Sequence, residues 1–244
     1  MSNASTHDPE HTALPSKAEG VRSRVRTELT LEILAAAKHH LATQGASGLS
    51  LRAVARDVGM VSSAVYRYFP SRDDLLTALI VDAYEDLADA IEHGERKAKR
   101  ADLRARWFAA GRALRHWAVG HPHEYGLIYG TPIPGYRAPE ATIAPVLRAT
   151  NIMVEILRDG ISSGTIASPH GSLGSADRRA IAPIRETFPD TPPEMLARGF
   201  GAWVNLIGLV SFELFGHMNN VIDSPSTFFD HELGRLADDL LPGM

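Results

Sequence analysis

The stretch SLRAVARDVGMVSSAVYRYFPSRDDLL, residues 50–76, decides the fold. Ser50 is of a type that caps helix N-termini, and Leu51, Val54, Ala55 and Val58 repeat behind it at helical spacing. Gly59 ends that run, because glycine takes a positive φ at little cost and lets the chain turn sharply. A second short helix is expected through Phe69, closed by Pro70, which has no N–H to continue a helix. Ser71 followed by Asp74 is a capping-box pattern, and Asp73 adds negative charge at the positive end of the next helix. The stripe Leu75, Leu76, Leu79, Ile80, Ala83, Leu87 and Ile91 predicts that this helix runs to about residue 96.

Outward from this stretch, helical spacing continues in both directions. Upstream, Leu29, Ile33, Leu34, Ala37 and Leu41 share one stripe over residues 27–43, which Gly45 and Gly48 stop. Downstream, helices are expected from Leu103 to about Gly120, from Pro122 to Gly130, over 140–163, and at about 193–218 and 226–241. Thr131–Pro139 carries three prolines and a glycine and reads as a loop. Residues 164–193 are rich in Ser, Gly and Pro, with one short helix expected near 176–186. No alternating β-branched run and no internal repeat occurs. The fold class is therefore all-α. Residues 1–24 read as a disordered arm, 25–70 as a small three-helix domain and 71–244 as a larger helical domain.

Composition narrows the function. With 44% apolar residues in 244, the chain can bury a sizeable core. It has no cysteine, which excludes disulfides, thiolate metal sites and a cysteine nucleophile. The first twenty residues contain no apolar run and do not read as a secretory signal. The longest apolar stretch, 200–215, is broken by Asn205, Ser211 and Glu213 and falls short of the roughly 20 apolar residues of a membrane span. It reads as a core or interface helix, with no membrane partner and a cytoplasmic location. Charge is segregated: residues 21–72 carry eight Lys/Arg (Arg22, Arg24, Arg26, Lys38, Arg52, Arg56, Arg67, Arg72) against Glu28, Glu32 and Asp57, while the rest of the chain is acidic. A basic module on an acidic body suits attraction to phosphates in one place and solubility elsewhere.

Residues 50–76 resemble the DNA-binding region of the TetR (tetracycline-repressor-like) family, on the strength of Ala55, Gly59, Tyr66, Tyr68, Phe69, the Ser71–Arg72 pair and Leu75. The resemblance implies a helix-turn-helix in a dimeric transcriptional regulator on a double-stranded, palindromic DNA operator. Small Ala55 lets the two short helices cross steeply, and Val58, Val65 and Phe69 face inward to hold that angle. Ser62, Ser63 and Ala64 would then lie near base edges, and Arg67 would read a guanine or clamp a phosphate. By resemblance, Tyr66, Tyr68 and Arg72 bind phosphates, joined by Ser50 and Arg52 at the start of the first short helix. Val61 stands where the family usually has Ser or Thr, which leaves Ser62 to cap and moves the helix start by one residue. Arg56 and Lys38 read as solvated charges, and Arg22, Arg24 and Arg26 as a flexible arm able to reach a minor groove.

In the larger domain, Trp117, His121-Pro122, Tyr125, Gly130 and Pro132 resemble a subgroup of TetR-like effector domains named for a Trp, a His and a Gly. Pro122 would start a helix beside His121 and Gly130 would end it. This implies effector binding. Trp107, Phe108, Trp117, Tyr125, Tyr129, Met153, Leu157, Phe200 and Trp203 are candidates to line a pocket for a small apolar or aromatic effector. His116, His121 and His123 span a proline break with no matching carboxylate set, so no metal site and no cofactor is expected. Nor is there a nucleophile–base spacing or a phosphate loop, which argues against an enzyme. The helix at 193–218 is apolar nearly all round. With Leu233, Leu236, Leu240 and Leu241 of the last helix, it is expected to form a four-helix bundle across a two-fold axis.

The leading reading is a ligand-responsive repressor. Its rivals are a small-molecule binder or enzyme with a vestigial helix-turn-helix, and a sequence-nonspecific architectural DNA binder.

Overall fold

The computed structural model describes residues 17–166 and 173–241. Helices α1 (Lys17–Gly48), α2 (Leu51–Asp57) and α3 (Ser62–Val65) form a small head. A long connector, α4 (Arg72–Glu95), leads to a body of α5 (Leu103–Gly120), α6 (Pro122–Tyr129), α7 (Ile143–Ser162), α8 (Ser175–Ala180), α9 (Ala182–Thr187), α10 (Pro193–Leu214) and α11 (Pro225–Leu240). No strand occurs among the described residues.

The local signals act where the sequence places them. Gly45, at φ 69°, kinks α1 one turn before its end. Gly59, at φ 67°, turns it between α2 and α3. Ser71 caps α4: its Oγ accepts from the Asp74 N–H at 3.1 Å. Residues 17–24, expected within a disordered arm, instead form the first turns of α1. The rest of that expectation, residues 1–16, lies outside the described residues. The single helix expected near 176–186 is two, α8 and α9, because Ile181 leaves helical geometry and Pro183 sits in the first turn after it.

Two hydrophobic clusters result. The head closes over Ile33, Ala37, Leu51, Val54, Ala55, Val65, Phe69, Leu75 and Leu79, all buried. The body closes over Trp107, Leu114, Tyr125, Ile156, Leu206, Leu233 and their neighbours. Leu127 and Tyr136 pack against both clusters. The loop expected at 131–139 is thus a splice between head and body, and the Tyr136 hydroxyl lies 2.9 Å from that of Thr77 on α4.

Charged side chains lace the body. Arg106, 1% exposed, donates to Glu95 and, at 2.6 Å, to Asp159, joining the end of α4 to α5 and α7. Removing one partner of such a buried pair strands the other charge, so the set holds these helices in one arrangement. Arg148 on α7 reaches Glu85, Asp89 and Glu92 along α4, and those three carboxylates push its pKa upward. Lys38 is not simply solvated as expected: it pairs with Asp82 at 2.5 Å and ties α1 to α4.

Candidate nucleic-acid interface

The head presents α3 outward from a fixed angle. Ala55 is 1% exposed, and its carbonyl accepts the Met60 N–H at 2.9 Å, which closes the turn tightly. Val65 and Phe69 are buried beneath the turn, as expected, and Val58 is half-buried. On the opposite side Ser63 and Arg67 are exposed, Tyr66 keeps 42% of its surface, and Ser62 and Ala64 are half-covered. α3 starts at Ser62 with Val61 at the capping position. The expected one-residue shift therefore does not occur: Val61 adopts the extended capping conformation (φ −68°, ψ 140°) although its side chain cannot bond an N–H.

Four of the expected phosphate ligands, Ser50, Arg52, Tyr66 and Arg72, surround one hollow of about 500 Å³ with Leu49, Leu51, Pro70 and Ser71. Ser50 takes the capping conformation of α2, yet its hydroxyl makes no cap hydrogen bond and stays available. Arg72 has a structural task that the sequence did not reveal. Its Nε donates to the Leu49 carbonyl at 3.2 Å and a terminal nitrogen to that of Ala46 at 2.7 Å. Tyr68 is half-buried against the head core, under the guanidinium of Arg26 at 5.3 Å from the ring centre. Arg26 is thus held on α1 against the end of the reading unit, not carried on a loose arm. Arg56 is exposed. His40, 6% exposed, was missed from the sequence: its Nε2 lies 2.7 Å from Asp57 and joins α1 to α2.

The structure sorts the effector candidates. Met153, Leu157, Phe200 and Trp203 line a largely apolar cavity of about 320 Å³ between α7, α9 and α10. Val146, Thr150, Val154, Phe188 and Met195, not singled out from the sequence, also belong to its wall. Phe188 comes from the Ser/Gly/Pro-rich segment, where its isolation hid it. The other five are elsewhere. Trp107 is core and donates its indole N–H to the Leu233 carbonyl at 3.0 Å. Tyr125 is buried, donating to the Ile207 carbonyl at 2.8 Å; burial pushes its hydroxyl up to about 12 against a smaller opposing effect of the Ser211 hydrogen bond. Tyr129 packs on Tyr125 and edge-on to Tyr84, and burial raises its pKa further. Phe108 lies beneath Arg104 and Arg112. Trp117 donates to Asp86 at 3.0 Å and stacks on His121, with centroids 5.3 Å apart.

His121 bonds the Trp117 carbonyl through Nδ1 at 2.9 Å, just before Pro122 starts α6. Among the described residues no three His, Asp or Glu side chains are grouped to hold a metal ion.

The residues expected to pair two copies divide between core and surface. Leu233, Leu236, Leu240 and Leu241 are buried within the chain, because α11 packs on α5 and α10. α10 and its cap instead leave four large apolar side chains uncovered: Phe200, Val204, Phe212 and Phe215 are 47–57% exposed. They recur at helical spacing and form one stripe. By length and composition α10 could cross a membrane, a test that a helix with one core face and one apolar interface face also passes.

Comparison with known proteins agrees with this geometry. Residues 33–79 match the model for bacterial regulatory proteins of the tetR family, and residues 107–236 match a tetracyclin repressor-like C-terminal domain. The HTH-type transcriptional regulator Rv1816 of Mycobacterium tuberculosis (strain H37Rv) is 36% identical over 225 residues, covering 89% of this chain and 94% of that protein. The crystal structure described as that of a regulatory protein, SCO4313, shares 35% identity with a TM-score of 0.73, covering 88% of this chain and 98% of the other. The fatty acid degradation regulator FadR of Bacillus halodurans shares the fold alone, at 15% identity and a TM-score of 0.58, covering 87% of this chain and 96% of FadR.

Proposed function

The chain belongs to the tetR family of bacterial regulatory proteins and is a DNA-binding transcriptional regulator, and from that premise we propose a ligand-responsive repressor that works in the cytoplasm as a dimer on a palindromic operator. The observation that carries this reading is the head. Its reading helix is held by a buried core on one side and presents Ser63, Tyr66 and Arg67 to solvent on the other. Arg52, Ser50 and Tyr66 grip the sugar–phosphate backbone and set register, while Ser63 and its neighbours meet base edges.

Two heads must face successive half-sites about one helical turn apart, which a two-fold pairing of α10 stripes supplies. The occupant of the apolar cavity is a small apolar or aromatic effector. The cavity touches α7, whose Arg148 grips α4, and α4 carries the head. An effector that fits only one setting of α7 would bias the angle of α4 and so the match between heads and operator. The likeness of residues 117–132 to the Trp-His-Gly subgroup belongs to the same reading, as does the assignment of no catalytic role to any residue.

Selecting bound sequences from a random duplex pool at moderate salt tests the proposal. A palindromic consensus is expected; no enrichment over the starting pool would refute it.

A further inference from the structure

We infer that Val61 reads the C5-methyl group of a thymine in the major groove of each operator half-site. The inference rests on the DNA-binding reading above and adds the chemistry of the sequence read. A lone exposed valine would mean nothing, since single apolar side chains are common on protein surfaces. This one is distinguished by where it stands. It occupies the capping position of α3, where Ser, Thr, Asp or Asn would bond an unpaired N–H, and it makes no such bond. The residue also projects outward, with 71% of its surface exposed, instead of packing under the turn as Val65 does.

The rest of this turn narrows the chemistry. From Val61 to Ala64 no side chain carries the paired donor and acceptor, or the forked donors, that read adenine or guanine with two hydrogen bonds. Ser62 and Ser63 offer one hydroxyl each. In the major groove, the base-edge feature that an apolar side chain recognises is the thymine methyl. Arg67 and Tyr66, exposed one turn further on, supply charge and a hydroxyl for the backbone flanking that base. The capping hydrogen bond has been given up for a contact that only bound DNA can complete.

The test is fluorescence anisotropy of the full chain on its selected duplex and on copies with each thymine replaced in turn by deoxyuridine, which removes the methyl and keeps base pairing. Wild-type protein should lose affinity at one position in each half-site, by roughly fourfold per half-site for one buried methyl. V61S should bind thymine and uracil forms equally, near the wild-type affinity for the uracil form, and V61N, which also restores a cap, should do the same. Because Val61 faces solvent, both variants should retain wild-type helix content by circular dichroism. Equal wild-type affinity for all forms, or discrimination that survives in both variants, would overturn the inference and leave DNA binding intact. Failure of the wild type to prefer any selected duplex would overturn the DNA-binding reading and this inference together.

Discussion

Arg72, in the first turn of α4, donates to the carbonyl oxygen of Ala46 at 2.7 Å, across a sequence separation of 26 residues. Its Nε holds the Leu49 carbonyl at the same time, so one guanidinium satisfies one acceptor in the last turn of α1 and one in the link to α2. The same side chain borders the hollow where Ser50, Arg52 and Tyr66 meet. Stability of the head and shape of the surface proposed to face DNA are therefore joined in one residue.

Arg72→Ala is expected to destabilise the head by about 1–3 kcal/mol, the usual cost of stranding acceptors of a charge-assisted hydrogen bond. Urea unfolding followed by the circular dichroism of the chain checks this. If the unfolding midpoint is unchanged while DNA affinity falls, Arg72 acts as a phosphate ligand only.

Arg67 is exposed, and of the two roles expected for it, guanine readout and phosphate clamp, we propose the second. Arg67→Ala should weaken binding to all duplexes alike and reduce the slope of log affinity against log salt by about 1. Ser63→Ala should instead change which sequences are preferred. A specificity change for Arg67→Ala with an unaltered salt slope would move Arg67 to base readout.

The stripe Phe200, Val204, Phe212 and Phe215 is exposed in one chain and is expected to be covered in the dimer. Replacing Val204 and Phe212 together by Glu should give a monomer by sedimentation equilibrium and abolish tight operator binding. The helix should remain folded, because its core face (Leu206, Val210) is untouched. A dimer that survives this double substitution must pair through another face.

Trp203 lines the apolar cavity and so reports on its contents. Titration with naphthalene or decanol should shift tryptophan emission, and Trp203→Phe should remove the response. Val154→Phe, which adds bulk to the wall, should weaken ligand binding by about tenfold or more without changing DNA affinity in the absence of ligand. Emission that ignores every apolar probe would count against an effector site there.

The raised pKa of Tyr125 makes stability depend on pH at the alkaline end. The folded state favours the neutral phenol up to about 12, whereas the unfolded chain ionises near its ordinary value of about 10. The contribution is complete below pH ~10 and is lost as pH rises toward 12. Urea midpoints should therefore fall across that window, and Tyr125→Phe should flatten part of the fall. An equal slope in the variant would assign the dependence to Tyr84 and Tyr129, whose hydroxyls burial also raises.

What the sequence determined by itself was local. Helical spacing of apolar residues, the cap at Ser71 and the turn at Gly59 act within a few residues, so the helices and the reading unit were legible before any packing was known. The family resemblance of residues 50–76 rests on that same short-range pattern. Tertiary structure decided what depends on distant partners. The structural task of Arg72 was hidden in the sequence because its carbonyl acceptors lie 23 and 26 residues upstream. Four of nine candidate pocket residues line the cavity, because large apolar side chains suit a core and a ligand wall equally well. The last two helices both carried leucine stripes at helical spacing, and only the docking of α11 on α5 and α10 buried Leu233 and its neighbours while the α10 stripe stayed uncovered. Burial is a property of the whole chain, and no window of sequence carries it.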